Sequence, residues 1–181
     1  MSLAGKKIAF LVTPEGVEQV ELTEPWQAVE QAGGQPVLVV GGDAQSVQAF
    51  NHLDKGDVFE ADLPVDRAGV EDYDGLVLPG GVANPDLLRQ SPDAVAFVKG
   101  FIDIGKPVAA ICHAPWTLVE AGAVQGRRLT SWPSLQTDLR NAGADWVDEE
   151  VVVDTHGAGP LVTSRKPDDL PAFTKAMAET F

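Results

Sequence analysis

The sequence predicts an open α/β fold, a mostly parallel sheet with helices on both faces. Three observations carry that expectation. Four short runs are almost continuously apolar: residues 7–13 (KIAFLVT), 36–40 (PVLVV), 75–78 (GLVL) and 107–111 (PVAAI). Such runs suit strands buried on both faces of a parallel sheet. Between them lie stretches whose apolar residues recur at helical spacing, and strands alternating with helices build sheets of this kind. The chain has 181 residues, long enough for a sizeable core and short enough for a single domain over 1–181.

Along the chain, residues 7–13 form the first strand and 14–17 a loop. Leu22, Trp26, Val29 and Ala32 then recur at helical spacing and stop at Gly33-Gly34, a helix C-terminal signal. Residues 36–40 are the second strand, which closes a β–loop–α–β unit. Residues 45–61 alternate and are more polar, as a small hairpin or edge excursion would. The third strand ends in Pro79-Gly80-Gly81. Ser91 is placed as a helix N-cap, Pro92 in the first turn and Asp93 at the positive end of the dipole. That helix buries Ala94, Phe97, Val98, Phe101 and Ile102, and Gly105 ends it. The fourth strand stops at Cys112, and 114–121 read as the next helix. A strand at 127–131, a helix at 135–141 and hairpin arms at 151–154 and 161–164 follow. The last helix starts near Pro167 and buries Leu170, Phe173 and Met177. Ligands of open α/β sheets bind beyond the carboxyl ends of the strands, so the loops after Thr13, Leu78 and Ile111 mark the functional edge.

Composition narrows the function classes. Apolar residues make up 44% and charged residues 22%, which excludes disordered, collagen-like and low-complexity chains. The net charge of −14 repels phosphate backbones and anionic lipids, so neither nucleic acid nor membrane is expected as a partner. Acidity also simply favours solubility. One cysteine excludes an internal disulfide and a cysteine-rich zinc site, and no two histidines stand at ligand spacing, so no metal and no cofactor are expected. No apolar run approaches the ~20 residues of a membrane helix. The N-terminus leads straight into a strand without a signal-peptide pattern, and the expected location is cytoplasmic.

The chemistry concentrates at Cys112. A nucleophile between a strand end and a helix start sits on a tight, strained turn, with small residues needed two positions to either side. Here those residues are Ala110 and Ala114. The helix end should stabilise negative charge on sulfur and lower the thiol pKa. The bland alternative is an inert buried thiol, the commoner fate of a free cysteine. His113 is next in sequence and would act as base or imidazolium partner if its ring reaches the sulfur. Gly80 and Gly81 free backbone N–H groups to face an oxyanion. Glu15, Glu18, Glu21 and Glu24 follow the first strand; a solvated helix start accounts for most of them, and one can point into the crevice. A carboxyl there would be pushed toward its protonated form and would donate a hydrogen bond to sulfur. Asp86, after Gly81, is a further acid, and His52 and His156 are expected at the surface.

These residues resemble the PfpI intracellular-protease family, whose superfamily also holds the Parkinson-associated stress protein and the class I glutamine amidotransferase domains. The resemblance runs from Lys7 to about Met177. It rests on Val17-Glu18-Gln19-Val20-Glu21-Leu22, Leu78-Pro79-Gly80-Gly81, Gly105-Lys106-Pro107 through Cys112-His113, and Thr163-Ser164-Arg165, in that order. It implies a flavodoxin-like fold with a nucleophile elbow and no bound cofactor. It further implies Cys112 as nucleophile, His113 as its dyad partner, Glu18 as the carboxyl on the sulfur, and Gly80, Gly81 and the His113 backbone as the oxyanion hole. Asp86 matches an acid supplied by a neighbouring subunit, with a one-residue length difference in its loop. The active site would then be shared across a homodimer or hexamer interface.

The resemblance also implies the activity, a stress-protective cysteine hydrolase acting on peptides, reactive dicarbonyls or glycation adducts through attack of sulfur on a carbonyl carbon. The alternative is a non-enzymatic redox-sensing or chaperone-like stress protein with an oxidisable Cys112. A glutaminase is set aside, because His156 is followed by Gly157-Ala158 rather than by a glutamate at the required spacing.

Overall fold

A computed structural model describes residues 2–181. In chain order the strands are β1 (Lys7–Val12), β2 (Glu15–Glu18), β3 (Gln35–Val40), β4 (Ser46–Asn51), β5 (Asp54–Glu60), β6 (Leu63–Pro64), β7 (Gly75–Leu78), β8 (Val108–Ile111), β9 (Arg128–Leu129), β10 (Asp145–Trp146), β11 (Val151–Asp154) and β12 (Leu161–Ser164). The helices are α1 (Gln19–Gln31), α2 (Ala83–Leu88), α3 (Pro92–Asp103), α4 (Pro115–Glu120), α5 (Gln136–Asn141) and α6 (Leu170–Thr180).

The central sheet has the order β11-β12-β8-β7-β1-β3-β6. All its pairings are parallel except β11 with β12, so the C-terminal hairpin adds the one antiparallel edge. This is the open α/β sheet the apolar runs predict and the flavodoxin-like class the resemblance implies. Alternation within β1 shows why the runs are continuous. Ala9 and Leu11 face the layer of α3, α4 and α5, while Ile8, Phe10 and Val12 face α1 and α6. The inner strands therefore bury both sets of side chains, while the edge strand β11 leaves Val153 exposed. The Ser91 cap is in place, its Oγ accepting the Ala94 N–H at 3.3 Å, and Pro92 opens α3.

Three local expectations change and a fourth, the hairpin, is extended. Residues 14–17 are not a plain loop, because Glu15–Glu18 pairs in parallel with β4. The hairpin β4–β5 is present and joins β2 in a separate three-stranded sheet. Helix α2 lies where no helix was expected, because Asn84 and Pro85 read as loop chemistry. Ile102 is only half-buried in α3. At the carboxyl edge, β1, β7 and β8 end side by side, and Asn84 ties two of their loops together. Its Oδ1 accepts the Thr13 N–H at 2.8 Å, and its Nδ2 donates to the Pro79 carbonyl at 2.9 Å.

Candidate active site

Cys112 has φ = +64°, in the left-handed region that a side chain rarely adopts. The strain is held from both sides. The Cys112 N–H donates to the Ser164 carbonyl at 3.0 Å, and the Cys112 carbonyl accepts from Trp132 N–H at 2.8 Å. Strain over-determined in this way is a mark of functional turns. The thiol is 5% exposed and borders a cavity of about 420 Å³.

His113 does reach the sulfur, with Nδ1 3.2 Å from Sγ. Its ring is stacked on Trp132 at 5.5 Å and tilted against Trp116 at 5.3 Å. Burial among these rings lowers its pKa to about 4, so the imidazole is neutral at pH 7. It is placed to accept a proton, and the imidazolium role is not favoured.

Glu21 supplies the carboxyl that faces the sulfur. It is fully buried, its Oε2 accepts the Gly80 N–H at 2.9 Å, and its Oε1 has no hydrogen-bond partner among the described residues. Burial, with the nearby Glu18 charge, pushes its pKa up to about 8. The Cys112 thiol is pushed up by burial and then by Glu21, while the backbone N–H groups of Gly81 and His113 act in the opposite sense. The free protein thus does not show the lowered thiol pKa expected from the helix end, and α4 is only six residues long. Two acidic groups this close titrate as a pair, and burial favours the protonated form of both, the Glu21 carboxyl and the Cys112 thiol.

Glu18 occupies a different place from the one its sequence position suggests. It stands at the N-cap position of α1 without a side-chain cap hydrogen bond, and its carboxylate accepts the backbone N–H of His52 at 3.1 Å. It borders the same cavity but is not the group on the sulfur; Glu21, one helical turn on, takes that position. Gly80 and Gly81 lie against the elbow, but the Gly80 N–H is taken up by Glu21 Oε2 rather than left free for an oxyanion. A Cβ on Gly80 would stand 2.7 Å from Cys112 Cβ, and Gly81 has φ = +83°. Asp86 is exposed on α2 and does not line the cavity. His156 is exposed, its Nδ1 3.0 Å from Asp154. His52 is exposed too, yet it borders the cavity at the tip of the β4–β5 turn. Trp132 and the hairpin tip are the lining groups that sequence reasoning missed. They come from distant segments with no motif of their own.

A model of the DJ-1/PfpI family matches residues 6–180. The chain belongs to the DJ-1/PfpI family. Among curated relatives in this family, it is 41% identical over 174 residues to "Protein/nucleic acid deglycase 2" of Escherichia coli (strain K12), covering 94% of each chain. It is 41% identical over 171 residues to "General stress protein 18" of Bacillus subtilis (strain 168), covering 94% of this chain and 95% of that one. Among solved structures, it superposes with a TM-score of 0.86 on a two-domain protein from Anabaena variabilis that contains DJ-1/ThiJ/PfpI-like and ferritin-like domains. The identity there is 35%, over 96% of this chain and 49% of the other, so this chain spans about half of that protein's length. One of these relatives is named a deglycase and the other a general stress protein. Among the described residues no helix is long and apolar enough to cross a membrane, and no group of three or more metal-ligating side chains is assembled.

Proposed function

We propose that this chain is a cytoplasmic, stress-protective cysteine hydrolase whose substrates are amine or thiol adducts of reactive dicarbonyls, with peptides as a second class. The observation that carries the reading is the 3.2 Å contact between Cys112 Sγ and the Nδ1 of a neutral imidazole, at the wall of a cavity. The deglycase name of a 41% identical relative supports the substrate class.

In this reading His113 takes the thiol proton as sulfur adds to the aldehyde-level carbon, and the amine or thiol leaves with that proton. The N–H groups of Gly81 and His113 face the developing oxyanion. His113 next moves a proton from that carbon to the adjacent carbonyl carbon. The first carbon is oxidised by two electrons and the second reduced by two, giving a thioester without an external oxidant. Water then releases a hydroxy acid and restores the thiol. Asp86 acts, on this proposal, only from a second copy of the chain, in a homodimer or hexamer.

The test is lactate release from the adduct of methylglyoxal and N-acetylcysteine, in wild type and Cys112→Ala. Loss of release in the variant supports the reading, and unchanged release overturns it. A second reading, redox sensing, draws on the Glu21 carboxyl facing the sulfur, which would stabilise an oxidised sulfur. It predicts a stable mass gain of about 16 or 32 Da at Cys112 after mild peroxide, in a protein that turns over no adduct.

A further inference from the structure

The cavity beside Cys112 has an uneven charge. Its lining includes two carboxyl groups, Glu18 and Glu21, and no lysine or arginine. Glu21 is turned to the sulfur and to the Gly80 N–H, and it holds its proton at neutral pH. Glu18 is therefore the formal charge of the cavity. It is 9% exposed, and the protein offers it a backbone N–H from His52, at 3.1 and 3.4 Å to its two oxygens, but among the described residues no cationic partner. A carboxylate that is nine-tenths buried and lacks a counter-charge attracts a cation more strongly than a surface carboxylate does, because solvent screens it less. The remaining walls include Phe50, Leu53, Val82 and Trp132, which suit the apolar stem of a substrate rather than a second charge. The same geometry disfavours an anionic substrate, which would place a like charge against Glu18.

We propose that Glu18 is the specificity-determining residue of this site, selecting carbonyl adducts that carry a positive charge beside the reacting carbon and rejecting anionic ones. This rests on the hydrolase reading above and adds to it the charge class of the substrate. Glu18 is a positioning residue for the cationic group and takes no part in the proton transfers of Cys112 and His113.

Three probes of equal chemistry separate these statements: the methylglyoxal hemithioacetals of thiocholine (cationic), 2-mercaptoethanol (neutral) and 3-mercaptopropionate (anionic). Wild type should favour the cationic probe in kcat/KM. Glu18→Gln keeps a side-chain acceptor for the His52 N–H and removes the charge. It should raise KM for the thiocholine adduct about ten-fold relative to the neutral probe, the size of one ~1.4 kcal/mol interaction. Glu18→Asp retains the charge and should retain the ranking. Glu179→Gln, an equal change of charge on the exposed face of α6, controls for the field of the whole −14 chain.

An unchanged ranking in Glu18→Gln, or an equal loss in Glu179→Gln, overturns the proposal. A uniform fall for all three probes also overturns it, because that is the mark of a merely structural role. If Glu18→Gln does not fold, the wild-type ranking against that of Glu179→Gln decides. Wild-type turnover of the neutral probe without preference for the cation overturns charge selection and leaves the hydrolase reading standing. No turnover of any probe by wild type overturns both.

Discussion

The Nδ1 of His113 lies 3.2 Å from the Sγ of Cys112, although the two residues are adjacent in the chain. In a strand such neighbours point to opposite faces. The positive φ of Cys112 breaks that alternation and folds the imidazole back onto its predecessor's sulfur. If the ring takes the thiol proton, His113→Ala should lower kcat by about 10²–10⁴, the usual range for a positioned base. Steady-state turnover of the methylglyoxal adduct checks this, with circular dichroism to confirm folding.

Stability should carry the signature of the same histidine. Its pKa is about 4 in the fold against 6.5 when free. Between these values the unfolded chain binds more protons, so stability falls as pH drops from 6.5 toward 4. The difference amounts to ~3 kcal/mol at 1.36 kcal/mol per pKa unit. Urea denaturation at pH 7, 6, 5 and 4 should show this loss in wild type and its absence in His113→Gln.

Glu21 has the opposite slope. Its pKa is about 8 in the fold and 4.5 in the free side chain. The folded state holds the extra proton, so this residue's contribution is fully present below pH 4.5 and is lost as pH rises to about 8. Glu21→Gln should therefore be more stable than wild type at pH 7, by on the order of 3 kcal/mol, with the gap closing toward pH 4.5. Denaturation midpoints of the two proteins across that window measure the difference.

Gly80 admits no side chain. A Cβ there meets Cys112 Cβ at 2.7 Å and the Ile111 carbonyl at 2.8 Å, and it also crowds the Glu21 carboxyl. The backbone of the elbow cannot yield without losing the Cys112 turn. Gly80→Ala should cost about 1–3 kcal/mol through overpacking. That corresponds to a fall in Tm of roughly 2–12 °C for a chain of this size, and adduct turnover should be lost with it. Differential scanning calorimetry reads the first effect.

Alkylation of the free protein tests the direction of the thiol shift. Burial and Glu21 push Cys112 up, so iodoacetamide should label it more slowly at pH 7 than it labels the unfolded chain. The rate should still be climbing at pH ~8.5, where a model thiol is half ionised. A plateau well below that pH would mean that the resting protein already holds the thiolate.

The central sheet was legible because its strands are buried on both faces, which leaves no polar position inside KIAFLV or VAAI. Helix α3 was legible through its Ser91-Pro92 start. Helix α2 was not, since ANPDLL carries turn residues and is held by the Asn84 hydrogen bonds rather than by propensity. The elbow at Cys112 could be read from its small neighbours, a local steric need. The choice between Glu18 and Glu21 could not. Both lie on one face of the same turn, and what separates them is the His52 N–H, supplied by a hairpin 34 residues on. Trp132 was hidden for the same reason, as its place against His113 is set by tertiary structure alone.

That indole has a further consequence. Trp132 stacks on the imidazole at 5.5 Å and donates its backbone N–H to Cys112, and Trp116 flanks the other contact of the ring. Two of the chain's four tryptophans thus touch the reacting histidine. An imidazolium quenches indole emission far more than a neutral imidazole does. Emission should dim as His113 gains a proton, and it should respond when a guest enters the cavity against Trp132. The protein carries its own optical reporter of protonation and occupancy, readable in stopped flow without a label.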